Sequence, residues 1–289
     1  MGRRLPIRPP EPRLPLIPAD ALVVSDVSFD ADDPQRIVVS NAAFVDGLFA
    51  AHLTADEIAP DALRSYFVQY YRAQMENGGF AQFVYNSDWD RNVVAKIRDG
   101  LRTIGARMHQ AVFLEGIAVI RQLGDDALDD FLSRDYWGEN PMRDLLGNVT
   151  AQFTKACDVE DLTAKNAAWL RNHPKLHVLS RDEMDAEVTR RAAAIGDMPQ
   201  RLAAARAGEP RPVRIIRALC AIAGHDLKHI ATGDPTHVSE GTTTVAWHFT
   251  TEHGHHLMIE TCDRAKMFAA DAPDRLVCEI SGLDESAER

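Results

Sequence analysis

Seven of the eleven histidines in this 289-residue chain lie between His225 and His256. Imidazole is the commonest transition-metal ligand and titrates nearest neutrality, so this stretch is the first place to look for chemistry. Segments 226–232, 243–251, 255–262 and 276–281 are β-prone, with Met267–Phe268 as a further short piece. Glu252-His253-Gly254 reads as a three-residue hairpin loop with glycine at its left-handed last position. That loop sets Thr251 opposite His255, Phe249 opposite Leu257, Trp247 opposite Ile259 and Val245 opposite Thr261. Val245, Trp247, Phe249, Leu257 and Ile259 then share an apolar face. His248, His256 and Glu260 fall on the other face, with the two histidines as diagonal neighbours. Two imidazoles and one carboxylate form a set that can hold a divalent metal. The spacing matches no named metal motif, and such residues are also ordinary on the solvated face of an antiparallel sheet.

Two other groups have suggestive spacing. Asp125, Asp126, Asp129 and Asp130 form the densest acidic cluster. The first two suit a helix start, where the macrodipole favours negative charge. The second two lie one turn on and extend a negative ridge, which either meets a partner or solvates a helix face. The third group is Asn77, Gly78, Gly79, Phe80, Gln82 and Asn86. The glycine amides with Gln82 and Asn86 could hold a ligand, but helix ends use the same residues as caps and to satisfy buried backbone groups. No nucleophile elbow, P-loop or dinucleotide fingerprint occurs, and no catalytic residue is assigned. Gly233–His237 has turn chemistry.

These residues need elements to position them. Leu63, Tyr66, Phe67, Tyr70, Tyr71 and Met75 recur at three- and four-residue steps and predict a helix behind Pro60. Phe80, Phe83 and Val84 resume the stripe after the two glycines. Further helices are expected over about 41–53, 91–104, 106–123 (apolar almost all round, hence the most buried) and from Asp125. Shorter pieces are expected at 142–146, 149–156 and 162–171, then one long polar helix over 181–207 and another over 213–223. Ala21–Val24, Arg36–Val39 and Leu176–Leu179 are β-prone. Residues 1–20 hold six prolines and four arginines, and Arg8–Pro15 could serve as a polyproline ligand or lie as a surface tail.

A net charge of −11 argues against direct binding of nucleic acid through a basic surface and permits a basic protein partner. The charge is spread as −1 over 1–39, −6 over 40–173 and −4 over 174–289. Cys157, Cys220, Cys262 and Cys278 form no CxxC pair, which suits reduced, mostly buried thiols in a cytosolic protein. No apolar run is long enough to span a membrane.

Met75–Ser87, MENGGFAQFVYNS, resembles the signature of a bacterial family of helical domains, the DNA mimic protein nineteen-like family. The resemblance covers about residues 40–137 and rests on Asn77, Gly78, Gly79, Phe80, Gln82, Phe83 and Asn86. It implies an all-helical domain, able to form a homodimer. In the namesake member an acidic surface imitates DNA and occupies a DNA-binding protein. The acidic residues responsible are not part of the motif, so none is carried across.

The expected fold class is α+β. A Pro-rich tail with short extended segments (1–39) precedes a helical domain (40–175). A connecting helix (176–212) leads to a C-terminal domain (213–289) with a helix packed on an antiparallel sheet. The expected function is protein interaction. Its most specific form is an acidic DNA mimic that occupies a DNA-binding partner through Asp125, Asp126, Asp129 and Asp130, with no cofactor. The alternative is a metal-dependent or ligand-binding activity in the C-terminal sheet, through His248, His256 and Glu260.

Overall fold

The computed structural model describes residues 17–239, 241–261 and 263–283. The proline-rich segment Arg8–Pro15 and Cys262 lie outside the described residues. The fold is α+β; among the described residues it has eleven α-helices, a two-stranded parallel sheet and a five-stranded antiparallel sheet. Two compact units divide between Met198 and Pro199.

The first unit opens with strand β1 (Leu22–Ser25), a short helix α1 (Asp26–Phe29) and helix α2 (Pro34–Ala50). Helix α3 (Pro60–Asn86) follows, then α4 (Arg91–Ile104), α5 (Arg107–Leu123), α6 (Asp125–Ser133), α7 (Pro141–Cys157) and α8 (Leu162–Arg171). Strand β2 (Leu176–Leu179) returns to pair parallel with β1, Leu22 opposite Leu176. Helix α9 (Arg181–Ala193) packs on α2.

Several elements depart from the sequence expectation. Arg36–Val39 is helical, because Asp33 caps α2 and Pro34 opens it one turn before the periodic apolar residues. Residues 17–39 are not merely a tail: Leu22, Val23 and Val24 are fully buried. Helix α5 is not the most buried: α3 buries a larger share of its residues, whereas α5 buries one face and exposes Leu114 on the other. The pieces expected at 142–146 and 149–156 are one helix, α7. The helix expected over 181–207 is two, α9 and α10 (Met198–Ala207).

One core gathers around α3. Tyr71 sits edge-on to Phe113 at 5.0 Å, Phe83 at 5.6 Å and Phe153 at 5.8 Å. Such T-shaped packing suits the ring quadrupole and adds about 0.5–1.5 kcal/mol per pair beyond burial. Gly116 of α5 lies against the Phe80 ring, where any Cβ would collide. A second cluster joins β1, α2, the start of α3 and α9.

The second unit contains α11 (Arg211–Ala223) and a meander, β3 (Leu227–Ser239), β4 (Thr242–Thr251), β5 (Gly254–Glu260), β6 (Arg264–Ala269) and β7 (Ala272–Ser281). Gly233–His237 lies inside β3 rather than in a turn. Two of the three register shifts of β3 fall around this stretch, and an edge strand tolerates Pro235. Ile216 and Leu219 of α11 cover Phe249, Met258 and Met267 of the sheet.

Candidate interaction surface

Helix α6 begins at Gly124, whose φ of 83° needs glycine, and no side chain caps it. Asp125 and Asp126 occupy its first turn, favoured by the dipole. Leu128 and Phe131 face the core, which turns Asp125, Asp126, Asp129 and Asp130 outward, all exposed. Residues four apart on a helix lie about 5–6 Å apart, so Asp125–Asp129 and Asp126–Asp130 form two short carboxylate rows. Only Asp130 of the four has an ion pair among the described residues, with Arg134 at 2.9 Å. That pair is exposed and contributes at most about 1 kcal/mol.

The loop after α6 is held from several sides. The Tyr85 hydroxyl donates to the Arg134 carbonyl at 3.1 Å. Arg143 donates to the carbonyls of Tyr136 at 3.1 Å and Gly138 at 2.8 Å. Asn140 caps α7 by accepting from the Arg143 amide. A chain of rings, Phe131 to Tyr85 to Tyr136 to Trp137, runs outward from the core at centroid spacings of 5.8, 5.1 and 5.3 Å. It ends on Trp137, which is 77% exposed. The loop thus carries an exposed large ring and the exposed carboxylates of Asp135 and Glu139, with Asp144 exposed in the first turn of α7.

Sequence reasoning missed Trp137. The available signal was an aromatic pair followed by Gly138 in a polar stretch, outside any apolar stripe. The charge asymmetry was also readable. Residues 56–124 carry eight acidic and eight basic side chains, whereas 125–173 carry ten and five.

The Asn-Gly-Gly-Phe corner is a packing device. Within α3 only Gly79 leaves helical geometry, at φ 77° and ψ −167°, and the helix resumes at once. The Phe80 amide donates to the Thr150 hydroxyl of α7 at 2.9 Å. Gln82 and Asn86, expected to satisfy backbone, instead both donate to the Gln74 side-chain oxygen, at 2.9 and 2.8 Å. Gln74 lies before the break and the other two after it, so the trio clamps the kink. Gly78 leaves room for Gln82, whose side chain would overlap any Cβ there. Asn77 is exposed.

The hairpin differs in register from the expectation. Thr251 pairs with Gly254, so the loop has two residues, Glu252 and His253. A one-residue slip moves every side chain of one strand to the opposite face. Phe249 now stands opposite His256, and His248 opposite Leu257. Trp247, Phe249 and Met258 face α11, while Ala246, Leu257 and Ile259 pack on the reverse with Phe268. His248 and His256 therefore lie on opposite faces and do not converge. Glu260 is on the α11 side and is bound by Arg211 at 2.7 Å. Among the described residues, no group of three or more histidine, cysteine, aspartate or glutamate side chains is placed to hold a metal ion.

His256 has a different setting. It is 2% exposed, stacks on Phe249 at 5.6 Å and is hydrogen-bonded through Nε2 to the Thr251 hydroxyl at 3.0 Å. The His225 ring lies 5.2 Å from it, and the His253 ring lies 4.3 Å from His225. Burial, reinforced by His225, pushes the His256 imidazole below its ordinary pKa. Free thiols are found at Cys157, Cys220 and Cys278, with Cys157 exposed. Burial pushes the Cys220 thiol up to about 11.

The first unit is a helical domain built on a broken aromatic helix, with an acidic helix on its surface. Its residues 56–173 match the family model described as DMP19-like protein, the family that the Asn-Gly-Gly-Phe motif resembles. The match extends past the motif through α8 and leaves out β1, α2, α9 and the whole second unit. No curated protein and no solved structure matches the chain. No helix among the described residues is long and apolar enough to cross a membrane.

Proposed function

We propose that the first unit acts by binding a basic protein partner through α6 and the loop that follows it. In its most specific form, the partner is a DNA-binding protein whose DNA site this surface fills. The observation that carries this reading is Trp137, 77% exposed on the loop that directly follows the outward carboxylates of α6. An isolated acidic helix face is ordinary solvation. A tryptophan held out on a bonded loop is the residue type that most often anchors protein interfaces. Carboxylates around it supply steering and register against a basic surface. The DMP19-like match of this segment supports the DNA-mimic form, since the family is named for that activity.

The test is the salt dependence of partner binding. A partner recovered from the native host should bind with a log Kd that rises with log salt. The slope should be reduced in the combined Asp125→Asn, Asp126→Asn, Asp129→Asn and Asp130→Asn variant. An unchanged slope in that variant would remove α6 from the interface.

A further inference from the structure

Away from the acidic surface, the first unit contains a cleft of about 700 Å³ between α2 and α9. The two helices pack together at Gly47, where an added Cβ would sit 3.4 Å from Val188. The cleft is also lined by the last residue of β1 and the residues that start α9. Val39 and Val188 line it with apolar surface, over the buried Phe44 and Met184. The volume falls within the range of about 300–1,000 Å³ usual for small-molecule sites.

Two arginines line the same cleft, Arg36 from α2 and Arg181 from α9. Both are exposed, and neither guanidinium has an ion pair or hydrogen bond among the described residues. Arg181 and Asp185 are four apart on α9, a spacing that permits pairing, yet no bridge forms between them. The other carboxylate in the lining, Asp26, accepts from the Val27 amide at 2.7 Å. Ser180, at the N-terminus of α9, also lines the cleft, with its amide and hydroxyl donating to Glu183.

We infer that this cleft is a binding site for a small amphipathic anion, a carboxylate or phosphate monoester carrying an apolar group. The apolar group lies on Val39 and Val188, and the anionic head meets Arg36 and Arg181. Guanidinium groups suit both heads, because their donor fork matches either oxyanion.

The test is calorimetric titration of the full chain with phenyl phosphate, and with phenol and inorganic phosphate as single-feature controls. Phenyl phosphate should bind at least about tenfold more tightly than either control, a difference of about 1.4 kcal/mol. Arg36→Ala and Arg181→Ala should each weaken it by about tenfold, whereas Asp185→Asn should leave it unchanged or tighten it. Both arginines are exposed, so circular dichroism should be unaltered in the variants. Failure of phenyl phosphate to bind, or equal binding by the Arg36→Ala/Arg181→Ala double variant, would overturn the site. Weaker binding in Asp185→Asn would also overturn it, since that result marks a cationic head.

Discussion

The Thr150 hydroxyl stands where a Cβ on Gly79 would lie, and it accepts the hydrogen bond of the Phe80 amide at 2.9 Å. One glycine therefore lets α3 break, sets α7 against the break and satisfies the amide that the break frees. Gly79→Ala should unfold more readily for two reasons. Its φ of 77° disfavours any side chain, and the new methyl meets Thr150. The expected cost is about 2–4 kcal/mol, read as a lower denaturation midpoint. Thr150→Gly should recover part of it by making room. A Gly79→Ala variant as stable as the parent would show that the kink is not built on this contact.

Glu187 ties the start of the described chain to α9. It accepts from Arg191 at 2.7 Å and from Arg190 at 2.6 Å, and the two arginines in turn donate to the carbonyls of Ile17, Pro18 and Ala19. Glu187 and Arg191 are each only 5% exposed. Glu187→Ala leaves Arg191 buried without its charge partner, which costs about 3–5 kcal/mol. Burial alone would raise the Glu187 carboxyl, but its bonds to Arg190 and Arg191 outweigh this and hold its pKa below the ordinary value. A lowered carboxyl contributes stability that is present above its unfolded pKa and is lost as pH falls through the folded one. The parent should therefore lose stability below about pH 4.5, with a smaller acid loss in Glu187→Gln. Equal acid sensitivity in the two proteins would contradict this assignment.

His256 links the stability of the second unit to pH without a metal. His256 is pushed below its ordinary pKa by burial and by His225, so the folded state favours the neutral ring. Stability from that preference is fully present above about pH 6.5 and is lost as pH falls through and below it. The β4–β5 hairpin should open with acid, seen as faster amide exchange of Phe249 and Met258 at about pH 5.5 than at about pH 7.5 after correction for intrinsic rates. His256→Phe should flatten that difference. Exchange protection that rises with acid would contradict the assignment.

The helices were largely legible because three- and four-residue apolar spacing survives in the sequence, as with Leu63, Tyr71 and Met75 in α3. Glycine stops located the breaks at Gly105, Gly124 and Gly224, each with positive φ in the structure. The sheet register was not legible. A two-residue and a three-residue loop around Glu252 and His253 both leave a plausible apolar face, because Trp247, Phe249, Leu257 and Ile259 alternate on both strands. Only packing against α11 selects between them, and that contact is long-range. The role of Gln74 was hidden for the same reason: the Gln82 and Asn86 amides reach it only once Gly79 has redirected the chain. Trp137 escaped notice because an exposed aromatic has no periodic partner to mark it.

The central claim is that α6 and Trp137 form a surface that takes the place of DNA on a basic partner. Its most direct test is competition between this chain and duplex DNA for a partner captured from the native host. The account predicts that duplex DNA displaces the chain from the partner. It also predicts that Trp137→Ala weakens capture by at least about tenfold, an interface hot-spot loss of 1.4 kcal/mol or more, with the fold intact. A ternary complex in which the partner holds DNA and this chain together, or capture indifferent to Trp137→Ala, would contradict it.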